Sequence, residues 1–147
     1  MNWKKFCLAF LLVFVAYFAT NMLIHVVILG DTYMRPEIQK AMRPEAEMSK
    51  FFWVRIVTTL VFAFFFTFIF AKGYERKGIM EGVRYGVYIT LFYFFVTCFE
   101  QFIIYPIPYF VVWYWVAAGL VQSVVMGIIA AVVYKPKSAP KPAPAAG

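Results

Sequence analysis

Histidine occurs once in this sequence and cysteine twice, and only seven of its 147 residues are acidic. A single histidine rules out a bis-histidine haem held within one chain. The two cysteines, Cys7 and Cys98, share no CxxC or other metal or redox spacing, and both fall inside apolar stretches, so they read as small buried hydrophobes. His25 and Glu100 would give a metal too few ligands without a second chain. No nucleophile and base stand in a recognisable arrangement. Neither an enzyme activity nor a cofactor is expected.

Charge is scarce as well. Charged residues form 14% of the chain and apolar residues 64%, against about 25% and roughly 45–50% in soluble domains. That balance does not fit a soluble globular domain. Polar and apolar residues nowhere alternate with period two, which removes the transmembrane β-barrel.

What the chain has is apolar runs long enough to cross a bilayer, which takes about 20 residues per helix. Four spans are expected, at about 6–30, 51–71, 82–105 and 109–134, with an outer loop at 31–50. Gly30 and Asp31 stop the first span, and "KGYERKG" follows the second. Proline cannot continue a helix, so Pro106 and Pro108 make "YPIPY" a tight reversal between the third and fourth spans. The first run, Phe6 to Leu29, exceeds the usual signal-peptide core of about 7–15 residues and is read as a membrane helix. The fold class is therefore all-α: a polytopic membrane protein built as a four-transmembrane-helix bundle over 1–134. Residues 135–147, "KPKSAPKPAPAAG", lack hydrophobic periodicity and are expected to form a disordered Pro/Ala-rich tail.

The net charge of +7 is carried by residues that flank the apolar runs and form no patch, which points to membrane orientation and away from nucleic acid. Lys4, Lys5, Lys72, Arg76, Lys77, Arg84, Lys135, Lys137 and Lys141 fall on one side. Arg35, Lys40, Arg43, Lys50 and Arg55 fall on the other. Nine basic residues against five put both termini in the cytoplasm. Tyr33, Trp53, Tyr105, Tyr109, Trp113 and Tyr114 would form an outer aromatic belt, and Trp3, Tyr74, Tyr85 and Tyr134 an inner one. In the outer loop "MRPE" occurs twice, at 34–37 and 42–45. Proline suits a first helical turn and a following glutamate its positive end, so one or two short surface helices are expected there.

Small residues recur every four positions on the fourth span, at Gly119, Ser123, Gly127 and Ala131, and on the third at Gly82, Gly86 and Thr90. Membrane helices approach closely only where side chains are small, so these ridges are expected to pack on each other. Homodimerisation through the fourth span is the rival use. The Phe-rich "VFAFFFTFIF" at 61–70 reads as lipid-facing or space-filling.

Polar residues inside a span are costly and mark functional candidates. Asn21 and His25 on the first span, Arg55 on the second, and Glu100 and Gln101 on the third form the expected intramembrane cluster. Gln122 lies deeper on the fourth. At a rise of about 1.5 Å per residue, His25, Arg55 and Glu100 fall within about one turn of a common depth. Two readings follow. Arg55 and Glu100 form a structural lock, or His25, Glu100 and Asn21 line an outward-facing site.

The "YMRPE" segment after the first span, the glycine-starred third span and "VVMGIIAAVVY" in the last resemble short bacterial four-helix integral membrane proteins of unknown function. That resemblance implies the fold and a bacterial cytoplasmic (inner) membrane, and no activity. The expected partners are the lipid bilayer and either another membrane protein or a second copy. An accessory or structural role is expected, with a small transporter or ligand-binding protein as the alternative.

Overall fold

The computed structural model describes residues 1–134, and the Pro/Ala-rich segment 135–147 lies outside the described residues. Among them the chain is all-helical, with four helices long and apolar enough to cross a membrane: Trp3–Ile28, Glu45–Lys72, Ile79–Ile104 and Tyr109–Val133. This is the architecture of a multi-pass membrane protein.

The first span is α1 (Trp3–Met22), capped by the Asn2 side chain at Lys5 N, and it runs on as a π-helical turn over Leu23–Ile28. The third span is α6 (Ile79–Ile89), a second π-helical stretch over Thr90–Phe95, and α7 (Val96–Ile104). Threonine sits at the entry to both stretches. Thr20 Oγ1 donates to Ala16 O at 2.7 Å, and Thr90 Oγ1 to Gly86 O at 2.8 Å. Hydroxyls that bond back to the carbonyl four residues earlier loosen and bend a helix. Wider turns of this kind are often found at functional sites.

Between the first two spans lie three short helices, α2 (Gly30–Tyr33), α3 (Pro36–Gln39) and α4 (Glu45–Met48). The two "MRPE" repeats supply α3 and α4. Pro36 begins α3 in its first turn, and Pro44 is the extended residue that starts α4. The second repeat runs through a 3₁₀ turn into α5 (Phe52–Lys72), so the long helix starts with a charged turn at Glu45 ahead of the apolar run that begins near 51. The segment is not a free linker. Ile38 is 1% exposed and packs with Ile107 and Val111 at the start of α8 (Tyr109–Val133). Arg35 lies over the Phe110 ring at 5.4 Å. We call this the loop end of the bundle. At the opposite, termini end Phe6, Phe70, Met126, Ala131 and Tyr134 share one buried cluster.

The connection from α5 to α6 closes that second end. Glu81, in the first turn of α6, is 5% exposed and accepts from the backbone N–H of Glu75 at 2.6 Å and of Lys77 at 2.8 Å. Outside it, Glu75 bridges Lys77 at 2.7 Å and Arg84 at 2.9 Å. Those two cations hold the exposed Glu75 carboxyl below its ordinary pKa. Gly78 turns into α6 with φ +74° and ψ −153°, a conformation only glycine adopts cheaply.

Three aromatic expectations need correction. Tyr85 is not a belt residue, because its hydroxyl donates to Phe66 O at 2.8 Å and its ring packs on Phe66 and Phe70. Tyr134 is 3% exposed and packs edge-on to Tyr74. Tyr33 turns inward, as described below. Cys7 is exposed on the outer side of α1, whereas Cys98 is buried. The phenylalanines of 61–70 divide, with Phe66 and Phe70 buried and Phe65 exposed.

The third and fourth spans meet at backbone contact. A Cβ on Gly82 would strike the carbonyl of Gly127, one on Gly127 would strike that of Gly82, and one on Gly86 would strike that of Ser123. Further along, the Phe94 ring occupies the space a Cβ on Gly119 would need. Ala131, the last of the small residues, is buried at 1% exposure in the termini-end cluster. Gly127→Val should therefore force the spans apart and destabilise the bundle by about 3 kcal/mol, the upper end for overpacking. Gly30→Ala meets nothing within 4 Å and should be nearly neutral. Detergent-solubilised thermal or denaturant unfolding of the two variants checks the contrast.

Candidate functional site

The polar groups that the fold brings together lie at the loop end. The π-helical turn carries His25, α2 delivers Tyr33, and α8 contributes Trp115. Trp115 Nε1 donates to the Tyr33 hydroxyl oxygen at 2.8 Å, and that hydroxyl lies 2.6 Å from His25 Nδ1. The His25 and Tyr33 rings lie nearly parallel, at 7° between their planes.

Proton placement follows from counting donors. A phenol has one hydrogen, and its oxygen already accepts from the indole. If His25 Nδ1 carried a proton it would point at an oxygen already engaged, and the Tyr33 hydrogen would need an acceptor that no described residue supplies. The consistent arrangement is Trp115 N–H to Tyr33 O, and Tyr33 O–H to His25 Nδ1. His25 is then the neutral tautomer with its hydrogen on Nε2. Burial raises the Tyr33 pKa, countered in part by the Trp115 hydrogen bond, so the phenol stays a donor well into alkaline pH.

Arg55 and Tyr17 lie further in, and among the described residues no hydrogen bond joins either to the relay. The Arg55 guanidinium lies within electrostatic reach of both His25 and Tyr17, and Tyr17 within that of Cys98 and Tyr93. Tyr17 and Tyr93 both pack on the Phe62 ring of α5, each at 5.2 Å between centroids. Asn21 is half-buried one turn inside His25.

Glu100 does not join them. Ion pairs among the described residues are Arg43–Glu47, Lys77–Glu75 and Arg84–Glu75, so no lock connects Arg55 to Glu100. The reason is helical register. Cys98 is buried, and two residues further on turns the helix by about 200°. Glu100 is therefore exposed on the far side of α7, and Gln101 is exposed beside it. Equal depth was a correct reason to consider the pair, but depth without azimuth did not suffice. Glu100 lies beside a ring cluster, since its neighbour Phe99 packs on Trp113 at 5.5 Å and on Tyr109 at 6.3 Å.

Gln122 and Ser123 lie deeper, at 1% and 0% exposure, and Gln122 Nε2 and Ser123 Oγ have no hydrogen-bond partner among the described residues. Ser123 serves through its size, since its backbone carbonyl is the surface that Gly86 meets.

Sequence reasoning named His25, Asn21 and Arg55 but missed Tyr33 and Trp115. Both looked like ordinary membrane aromatics, and Tyr33 was assigned to the belt. The available signal was the position of Tyr33 three residues beyond Gly30, on a short turn that can fold back over the helix it has just left. Among the described residues no three His, Cys, Asp or Glu side chains gather as a metal site would require. No family model matches the chain, and no curated protein or solved structure is significantly similar to it.

Chemically the cluster is a set of neutral hydrogen-bonding groups beside one guanidinium. It orients donors and contains no activated nucleophile. Tyr33→Phe leaves the indole N–H and His25 Nδ1 without each other's bridge and should cost about 1–3 kcal/mol. Nitrogen NMR on the sole histidine should show its tautomer populations shift, and the Trp115 indole hydrogen should exchange faster. Gln122→Met removes a buried, unpaired amide at similar volume. It should leave the unfolding midpoint unchanged or raise it, by up to about 1–3 kcal/mol.

Proposed function

We propose that this chain is a non-enzymatic accessory or structural protein of a bacterial cytoplasmic membrane, with both termini in the cytoplasm, which binds another membrane protein. The orientation rests on the nine-to-five division of basic residues. The observation that supports the binding role is the outward position of Glu100. A carboxylate on the outer face of an apolar helix is costly unless something meets it, and within the chain no described residue pairs with it. Gln101 beside it adds a second polar contact. A partner helix offering a Lys, Arg or amide donor at the same depth would satisfy both.

Self-association through the fourth span fits less well. The small ridge that it would use is occupied inside the chain, by Gly82, Gly86 and Phe94. The alternative role, ligand binding, has its own support in the donors of the loop-end cluster.

Native mass spectrometry of the complex extracted from membranes with lipids retained tests the accessory role. A second polypeptide is expected beside the 17.1 kDa chain, and Glu100→Ala should reduce it by about tenfold or more, the loss of one good charge-assisted contact. The same substitution should change the chain's own unfolding by less than about 0.5 kcal/mol, because it breaks no internal pair. A wild-type particle holding copies of this chain alone sinks the proposal. So does a second polypeptide whose amount ignores Glu100.

A further inference from the structure

At the termini end a groove of about 210 Å³ runs between α5 and α6, under the connection that joins them. Ile69 and Phe70 line it from α5, Glu75 from the connection, and Glu81, Arg84 and Tyr88 from α6. Positions 81, 84 and 88 recur at helical spacing and so share one face of α6. Ile69 and Tyr88 are 53% and 58% exposed, so the groove opens on the outer surface of the bundle, where a membrane-spanning helix meets lipid. Arg84 gives Nη2 to Glu75 at 2.9 Å, and its other N–H groups have no partner among the described residues. Glu75 spends Oε2 on both Lys77 and Arg84, which leaves Oε1. Glu81 is 5% exposed, and its oxygens accept only from the backbone N–H groups of Glu75 and Lys77. Among the described residues no cation pairs with it.

We propose that this groove seats the headgroup of a phospholipid that carries a primary ammonium as well as its phosphate. The order of groups along α6 carries the inference. Glu81 lies nearest the helix end, Arg84 follows one turn further into the span, and Tyr88 one turn beyond that, at steps of about 4.5–6 Å. A lipid of this class, with its chains towards the middle of the bilayer, presents ammonium, phosphate and glycerol ester in that same order from the end inwards. The ammonium stands between Glu75 Oε1 and Glu81 and supplies the cation that the buried Glu81 carboxylate lacks. The N–H groups that Arg84 has left serve the phosphate oxygens. The Tyr88 hydroxyl falls at the level of the ester, and Ile69 and Phe70 give the first chain an apolar wall. A purely anionic headgroup leaves two acids facing one base, and a soluble zwitterion leaves the apolar wall bare, so the occupant is the lipid. The groove shares no residue with the loop-end cluster or with Glu100, and the inference is independent of the role given to either.

The full chain, purified in maltoside and stripped of lipid, is titrated by native mass spectrometry with short-chain phosphatidylethanolamine, with phosphatidylglycerol and with an uncharged glycosyl diacylglycerol. One saturable site is expected for phosphatidylethanolamine. The other two should bind at least about tenfold more weakly, since each lacks the ammonium and with it a charge-assisted hydrogen bond. Arg84→Gln should weaken phosphatidylethanolamine by about tenfold for the same reason. Ile69→Trp, which fills the groove from its lipid side, should abolish the site. Both side chains are exposed, so an unfolding midpoint close to that of the wild type separates a lost seat from a lost fold. Glu75→Gln should erase much of the preference over phosphatidylglycerol while phosphatidylglycerol binds as before or better. Equal affinity for phosphatidylethanolamine and phosphatidylglycerol overturns the proposal, as does a selectivity that survives both Arg84→Gln and Ile69→Trp. Glycerophosphoethanolamine, the same headgroup without chains, should not compete in the lipid's concentration range. Competition there makes the occupant a soluble compound and overturns the lipid.

Discussion

The crossing of the third and fourth spans at Gly82, Gly86, Ser123 and Gly127 is the contact on which the rest of this bundle depends. Hydrocarbon offers no hydrophobic drive to hold helices together, so close packing has to supply it. Backbone-to-backbone approach gives the most contact per turn, and it works only if every residue along the seam is small. Once that seam is set near the termini end, the remainder of both helices is constrained. The Phe94 ring must fall on Gly119, and the π-helical stretch over Thr90–Phe95 is what brings Phe94 into that register. Tyr85 is turned towards α5, where its hydroxyl finds Phe66 O. A ring cluster then joins the second span to the third through Phe62, Phe66 and Phe70.

The two ends of the bundle are closed by different means. At the termini end a carboxylate organises the connection: Glu81 draws two backbone N–H groups over itself, and the basic residues around it remain on the surface. At the loop end the closure is partly apolar, through Ile38 on Ile107 and Val111, and partly polar, through Tyr33 between His25 and Trp115. These two contacts reinforce each other. Docking Ile38 fixes the chain that follows Tyr33, and the relay fixes the chain before it. A segment with Asp31, Arg35, Glu37, Lys40 and Arg43 is thereby tied down at Tyr33 and Ile38, with Arg35 over the Phe110 ring between them.

How much of this could be read from the sequence differs by level. Four spans, an all-helical fold and the tight Pro106–Pro108 reversal follow from run length and proline alone, because membrane thickness and the missing N–H of proline act locally. The apolar run alone does not show that the helix continues back through a 3₁₀ turn to Glu45, because the charged Glu45–Met48 turn is helical although it is not apolar. Residues that act through a neighbour were the hardest to see. Glu81 could have been recognised, as a glutamate in the first turn after Gly78 is a known partner for free backbone N–H groups. Trp115 could not, because nothing local distinguishes an indole that meets a tyrosine 82 residues away from one that meets lipid.

The candidate site itself shows why polar residues in a membrane chain cannot be paired by depth. Spacing along the spans gives Arg55 and Glu100 a similar expected depth, and their opposite charge makes a lock between them the obvious economy. Yet the azimuth of each residue is set by its apolar neighbours. Cys98 enters the protein and Phe99 meets Trp113, so Glu100 must leave by the remaining side. Rotating α7 to bring Glu100 inwards would expose Cys98 and break the Phe99 contacts with the fourth span. The packing of several apolar groups outweighs one ion pair, whose attraction must first offset the desolvation of both charges. The result is a cation and an anion without an internal ion pair: Arg55 is exposed on the second span, and Glu100 faces away from the bundle. Apolar packing therefore leaves two separate polar positions on one bundle, Arg55 on the second span and Glu100 on the far side of α7.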